Sequence, residues 1–212
     1  MVIAYAITIC NETKEADRLI RFLKSHIRWN DHIYVLLDKP KASNELIDLL
    51  YRFSSSDWIT LRESVFQNNF SDWKNELIEL CNTNSVKPDY IFNIDADELP
   101  TEELIQMLPN ILEGNPSIDL YWIPRWNTVE GLTPEHIQMW RWNVDDLNRV
   151  NWPDYQTRIF RNNSNIKWQN KVHEQLGGFK DYTYLPLDMN LHLFHDKTIE
   201  RQEKQNNYYN TL

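Results

Sequence analysis

Asn93-Ile94-Asp95-Ala96-Asp97-Glu98 follows directly on the apolar run Tyr90-Ile91-Phe92. In an extended backbone successive side chains alternate faces, so Asp95 and Asp97 share one side and Ala96 takes the other. Two acids held that close repel each other unless a cation stands between them. Hard divalent ions such as Mg²⁺ or Mn²⁺ take carboxylate oxygens and often share their remaining positions with phosphates. One reading is therefore a metal site for a diphosphate-bearing substrate at the C-terminal end of a strand. The other is a solvated acidic turn that caps the helix starting near Thr101. A bare Asp-x-Asp does not separate them, so the surrounding elements must.

Val2 to Ile9 is a β-branched, apolar run and predicts a buried first strand rather than a signal peptide, having no basic flank and no small-residue cleavage site. Leu19, Ile20, Leu23 and Ile27 recur at helical spacing between Glu15 and Ile27. His32 to Leu37 predicts a second strand ending at Asp38, and Asn44 to Phe53 a helix. Trp58 to Leu61 predicts a third strand, Phe70 to Cys81 a helix, and Asp89 to Ile94 the strand that delivers the acids. Thr101 to Leu112 reads as a helix with Thr101 at its N-cap and Glu102 and Glu103 in its first turn. Strands alternating with helices imply crossover units and a mostly parallel sheet. Ligands bind such sheets outside the carboxyl ends of the strands. Asn11-Glu12, Asp38 and Asp95/Asp97 all fall at such ends, so they are expected to converge on one edge.

Beyond Ile118 the pattern changes. Asp119 to Pro124 predicts a strand, and Arg125 to Pro153 reads as a long, Trp- and Asn-rich loop of the kind that usually carries function. Gln156 to Phe160, Ile166 to Trp168, Tyr182 to Leu185 and Leu191 to Phe194 predict shorter strands. Thr198 to Leu212 predicts a polar helix with Glu200 and Lys204 paired at i,i+4; it reaches Leu212 without a stop signal, as a chain that continues would.

The bulk properties set the class. With 212 residues, 42% of them hydrophobic and 25% charged, the chain suits one ordinary globular domain. A net charge of -9 argues against general nucleic-acid binding, which needs a basic footprint. Cys10 and Cys81, the two cysteines, lack metal-ligand spacing and suggest buried thiols in a reducing, cytoplasmic setting. No segment has the length of a transmembrane span. Of nine Trp, Trp122, Trp126, Trp140, Trp142 and Trp152 fall in one stretch, as core or as a platform for a sugar ring.

The order of these elements resembles the family 2 glycosyltransferases, in a bacterial and phage-type branch. The residues that carry the likeness are Ile9-Cys10-Asn11-Glu12, Asp38, Asp72-Trp73-Lys74-Asn75, Asn93-Ile94-Asp95-Ala96-Asp97-Glu98, Tyr155 to Arg161, Val172-His173-Glu174 and His195. The resemblance implies an α/β, GT-A (Rossmann-like) fold: a mostly parallel central sheet flanked by helices, with a smaller C-terminal acceptor-side region. It implies that residues 1–118 form the nucleotide-sugar-binding half and 119–212 the acceptor-binding and catalytic half of a single domain. Thr8, Asn11, Glu12 and Asp38 would line the nucleoside pocket, and Lys74, Asn75 and Asp95 would contact the nucleotide. Asp97 and His195, with Asp95, would hold a Mn or Mg divalent cation. Lys74 stands where the family usually has Arg, and an ammonium lacks the bidentate fork of a guanidinium.

The implied activity is metal-dependent transfer of a sugar, most simply from a UDP-linked donor, to a hydroxyl of a carbohydrate or glycolipid acceptor with inversion. Such a transfer needs a general base; Glu174 is the first candidate and Asp154 the second. Arg158 is the better placed of Arg158 and Arg161 to steady a leaving diphosphate. Glu98 either orients a neighbouring group or is a surface acid. His192 and His195 are three apart and would face opposite ways in a regular strand; His195, expected at the strand end beside Asp196, is the preferred ligand. A nucleotidyltransferase of similar architecture is the first alternative. It is disfavoured because Asn11-Glu12-Thr13-Lys14 has no glycine and the chain has only four. A non-catalytic carbohydrate-binding protein on the same fold is the second.

Overall fold

The computed structural model describes residues 1–209. The first half alternates as its sequence predicts: β1 Ile3–Ile9, α1 Thr13–His26, β2 His32–Asp38, α2 Asn44–Ser54, β3 Ile59–Ser64, α3 Phe70–Cys81 and β4 Tyr90–Asp95. A strand buried on both faces reads as a continuous apolar run, and β1 shows why. Its odd residues Ile3, Tyr5, Ile7 and Ile9 pack against α1, α2 and the later helix α4 (Glu102–Gly114). Its even residues Ala4 and Ala6 pack against Trp73, Leu77 and Leu80 of α3. The helices follow from their apolar stripes and caps. Ala16, Leu19, Ile20 and Leu23 are the buried face of α1. Ser43 accepts a hydrogen bond from Leu46 N at the start of α2, and Thr101 accepts one from Leu104 N at the start of α4. Each fully buried Leu or Ile contributes about 1.5–3 kcal/mol, so the two-sided apolar packing of β1, β2 and β4 anchors the domain.

The second half contains β5 Glu98–Pro100, β6 Leu120–Glu130, α5 Pro134–Trp140, β7 Tyr155–Arg161, β8 Lys167–Gln169, β9 Gln175–Gly177, β10 Tyr182–Tyr184, β11 Leu193–Thr198 and α6 Ile199–Tyr209. The sheet runs β3-β2-β1-β4-β7-β6-β11-β5, with β10 on β6, while β8 and β9 form a separate hairpin over α3. β1 to β4 are mutually parallel; β7 enters antiparallel to both β4 and β6. The result is a mostly parallel, curled central sheet with helices on both faces.

Several expectations are corrected. Much of the stretch 125–153 is ordered: β6 continues to Glu130 because β11 pairs with it from Arg125 to Glu130, and Thr133 with Pro134 starts α5. The chain after Asp97 does not pass directly into a helix. It turns into β5, which pairs antiparallel with β11 through Glu98 and His195, so Glu98 is wholly buried. His195 lies inside β11, not at its end. The predicted final helix reaches Leu212; residues 210–212 lie outside the described residues. Among the described residues no helix is long and apolar enough to cross a membrane.

Candidate functional site

A cavity of about 550 Å³ opens at the carboxyl ends of β1, β2 and β4, and its lining includes Thr8, Glu12, Asp38, Lys74, Asp95, Asp97, Arg158, Glu174 and His195. The convergence expected at this edge is thus present for residues drawn from both halves of the chain. Asn11 is the exception at the first strand end. It is exposed and outside the lining, its amide N–H donating to the Glu12 carboxylate at 2.9 Å. Asn75 is a second departure. Its Nδ2 donates to Trp168 O and its Oδ1 accepts from Trp168 N, both at 2.9 Å. Its amide therefore staples β8 to α3 instead of facing the cavity.

Buried charges organise the floor. Glu98 accepts from Arg125 Nη1 at 2.9 Å and Arg158 Nη2 at 2.6 Å, and its second oxygen accepts from Asp95 N at 3.2 Å. Arg158 Nη2 also reaches Asp95 Oδ2 at 2.5 Å. Lys74, buried and stacked over Trp168, lies 2.7 Å from Glu174 and 3.7 Å from Asp95. Burial opposes the charge on Asp95, but Arg158 and then Lys74 outweigh it, together with the repulsion from Asp97, and bring its pKa down to about 2. Burial likewise works against charge on Arg158, and Asp95 and Glu98 beside it hold its pKa above the ordinary value. Its Nε is buried without a hydrogen-bond partner among the described residues.

Asp97 faces the other way. Its Oδ2 lies 3.3 Å from His195 Nε2 and 3.3 Å from Arg201 Nη2. Burial raises its pKa, but the hydrogen bond and charge of His195, with Lys197 and Arg201, hold it far below the usual carboxylate range. The ring of His195 is fixed from behind. Asn127 donates its Nδ2 to Asp154 Oδ2 at 2.7 Å and to Val150 O at 3.4 Å. Its Oδ1 is therefore the atom that meets His195 Nδ1 at 2.7 Å. With Nδ1–H so used, Nε2 and the Asp97 oxygen are two acceptors unless a proton or a metal ion stands between them.

Asp154, the second candidate base, belongs to this supporting layer. Its Oδ2 accepts from Arg125 Nε and Nη2 and from Asn127, and its Oδ1 accepts from Gln156. It lines a smaller neighbouring cavity of about 270 Å³ rather than the main one. A carboxylate with both oxygens occupied by donors is poorly placed to take a substrate proton. Glu174 does line the main cavity, delivered by a turn in which His173 holds a left-handed backbone at φ 54°.

The expected metal donors can be compared with this geometry. Among the described residues no three His, Cys, Asp or Glu side chains converge as a ligand cluster. Asp95 is turned to Arg158 and Lys74, which leaves Asp97 and His195 as the pair whose oxygen and nitrogen suit a hard-to-borderline divalent ion. His192 does not join them: it packs among Trp126, Trp152 and Phe194. Arg161 pairs with Asp119 at 3.2 Å, away from the cavity lining.

Sequence reasoning did not single out Arg125, Asn127, Lys197 or Arg201. The alternation that paired Asp95 with Asp97 would have found three of them. Arg125 and Asn127 are i,i+2 on β6, Lys197 is i+2 from His195 on β11, and the two strands are in register at His195 and Asn127. Arg201, on a polar helix, carries no such signal.

No protein-family model and no curated protein matches this chain. Solved structures do. Staphylococcus aureus TarS residues 1–349 superimposes with a TM-score of 0.61 at 9% identity, covering 92% of this chain and 60% of that one. Its complex with UDP gives 0.63 at 11% identity, over 92% and 60%. Its complex with UDP-GlcNAc gives 0.60 at 12%, over 93% and 59%. This chain therefore spans about 60% of the length of those TarS structures. The likeness defines the fold: a GT-A-type α/β domain with its cavity at the strand carboxyl ends.

Proposed function

We propose that this chain is a glycosyltransferase that moves a sugar from a UDP-linked donor to a hydroxyl of a carbohydrate or glycolipid acceptor with inversion, using a divalent cation. One observation carries the reading. The cavity at the strand carboxyl ends combines Asp95 and Asp97 with the cations Lys74, Arg158, Arg125 and Lys197, a charge mixture suited to a nucleoside diphosphate and its counter-ion. The TarS complexes with UDP and UDP-GlcNAc, on the same fold, support a uridine nucleotide as the donor base.

In this reading residues 1–118 supply the nucleoside side, with Thr8, Glu12 and Asp38 around the base and ribose, and residues 119–212 supply the acceptor side. Asp97 and His195 would hold Mn²⁺ or Mg²⁺; such an ion, when bound, offsets the charge that develops on the leaving diphosphate. Arg158 and Lys74 set the Asp95 carboxylate at the diphosphate end and add positive potential there. Glu174, on the cavity wall, takes the proton of the attacking hydroxyl. Asp154 acts as a positioning residue through Asn127, which turns His195 Nε2 toward Asp97.

Thermal melting with UDP, with and without Mn²⁺, tests the reading. A ligand that binds only the folded state raises the melting temperature by mass action, corresponding to about 2.7 kcal/mol at a hundredfold excess over Kd. The expected result is a UDP shift that needs Mn²⁺ and is lost in Asp97→Asn. A shift identical in the variant and in metal-free buffer would overturn the metal assignment, and no shift with any nucleoside diphosphate would overturn the donor assignment.

A further inference from the structure

The carboxylate assigned to the metal already carries a cation from the protein itself. Arg201 extends from α6 to Asp97 and Glu12, two carboxylates that line the cavity. Its Nη2 lies 3.3 Å from Asp97 Oδ2 and 3.7 Å from Glu12 Oε1, and its Nη1 lies 3.0 Å from Glu15 Oε1. The Asp97 oxygen it meets is the one that faces His195 Nε2. No residue of α6 from 199 to 207 is buried, so the helix is held on the domain by polar ties. Besides Arg201 these include Lys197 to Gln205 at 2.5 Å and His136 to Glu203 at 3.7 Å.

We propose that Arg201 is a resident counter-cation of Asp97 whose place a divalent ion takes, so that metal entry and the docking of α6 compete for one carboxylate oxygen. This rests on the metal reading above. A divalent ion between Asp97 and His195 would put two positive charges within a few ångströms of the guanidinium, where like charges repel. Losing Asp97 leaves Arg201, among the described residues, with Glu12 at the N-cap and Glu15 in the first turn of α1, and the helix loses its tie to Asp97. The coupling is reciprocal by linkage: whatever favours docked α6 weakens the ion, and the ion loosens α6 by the same factor.

Two measurements on the whole chain test this with Mn²⁺ alone as the probe. Free Mn²⁺ is titrated by electron paramagnetic resonance against the wild type, Arg201→Gln and Arg201→Lys, and hydrogen exchange of residues 199–207 is followed with and without Mn²⁺. Removing the competing charge in Arg201→Gln should tighten Mn²⁺ binding about tenfold, Arg201→Lys should stay near the wild type, and Mn²⁺ should speed exchange in α6 of the wild type and Arg201→Lys but not of Arg201→Gln. Mn²⁺ binding that is equal or weaker in Arg201→Gln, or α6 exchange that Mn²⁺ leaves unchanged or slows, would overturn the competition while leaving the metal site standing. Absence of Mn²⁺ binding in all three proteins would overturn both.

Discussion

Glu98 offers the sharpest test of how the charged floor is built. It is wholly buried and its Oε1 is shared by two guanidinium groups, Arg125 at 2.9 Å and Arg158 at 2.6 Å. Glu98→Gln keeps the shape and removes the charge. Its Nε2 cannot accept, so one of the three donors that now meet the carboxylate must face another donor. Breaking a buried pair by removing one partner costs about 3–5 kcal/mol, because the remaining charge stays desolvated. Both arginines keep a second acceptor, Asp154 for Arg125 and Asp95 for Arg158, which puts the expectation at the low end, about 3 kcal/mol. For a domain of this length that corresponds to a fall of about 6–12 °C in melting temperature. Urea unfolding followed by tryptophan fluorescence gives the free energy directly. A loss below about 1 kcal/mol, the scale of an exposed ion pair, would refute the view that Glu98 is the counter-charge that holds the floor together.

Two further outcomes follow from the residues that left the cavity. Asn75→Ala removes a donor and an acceptor for the Trp168 backbone; at about 1 kcal/mol per hydrogen bond the cost is about 2 kcal/mol, seen in urea unfolding and as faster hydrogen exchange in β8. An unchanged β8 would mean that Asn75 does not hold the hairpin. For Asp154, burial raises its pKa but Arg125 and Asn127 bring it below the ordinary 3.8. A depressed carboxylate contributes stability that is present above the unfolded pKa and is lost as pH falls below it. Unfolding free energies of wild type and Asp154→Asn should therefore converge as pH drops from 5 to 3; a gap independent of pH would contradict the pairing.

The part of the fold that was legible in the sequence is the part with one dominant cause. β1, β2 and β4 are buried on both faces, so their apolar runs speak for themselves, and α3 begins and ends where its pattern does, at Phe70 and Cys81. The later strands are shorter, half-buried and paired antiparallel or at the sheet edge. β5 and β9 have three residues each, too few for any period to appear, and their pairing partners lie far along the chain. Glu98 was ambiguous for that reason: nothing local says that Leu193–Thr198 will lie beside it and close it from water.

The same distinction governs the site. Asp95, Asp97, Lys74, Arg158, Glu174 and His195 were findable because strand ends and motif order bring them to one edge. The family resemblance puts Asn75 on the nucleotide and residue type makes Asp154 a candidate base, whereas the geometry commits their polar atoms to Trp168 and to Arg125 and Asn127. A polar residue near a cavity is free to act on a ligand only when the backbone and its neighbours have not already claimed its donors and acceptors. That accounting needs the partners in space. Glu98 and Asp154 together neutralise Arg125, Asp154 orients Asn127, and Asn127 sets which nitrogen of His195 meets Asp97. Each link joins residues at least 27 positions apart, up to 98 for His195 and Asp97. The acidic motif thus marks where the cavity is, and this long-range chain decides how His195 is presented to Asp97 there.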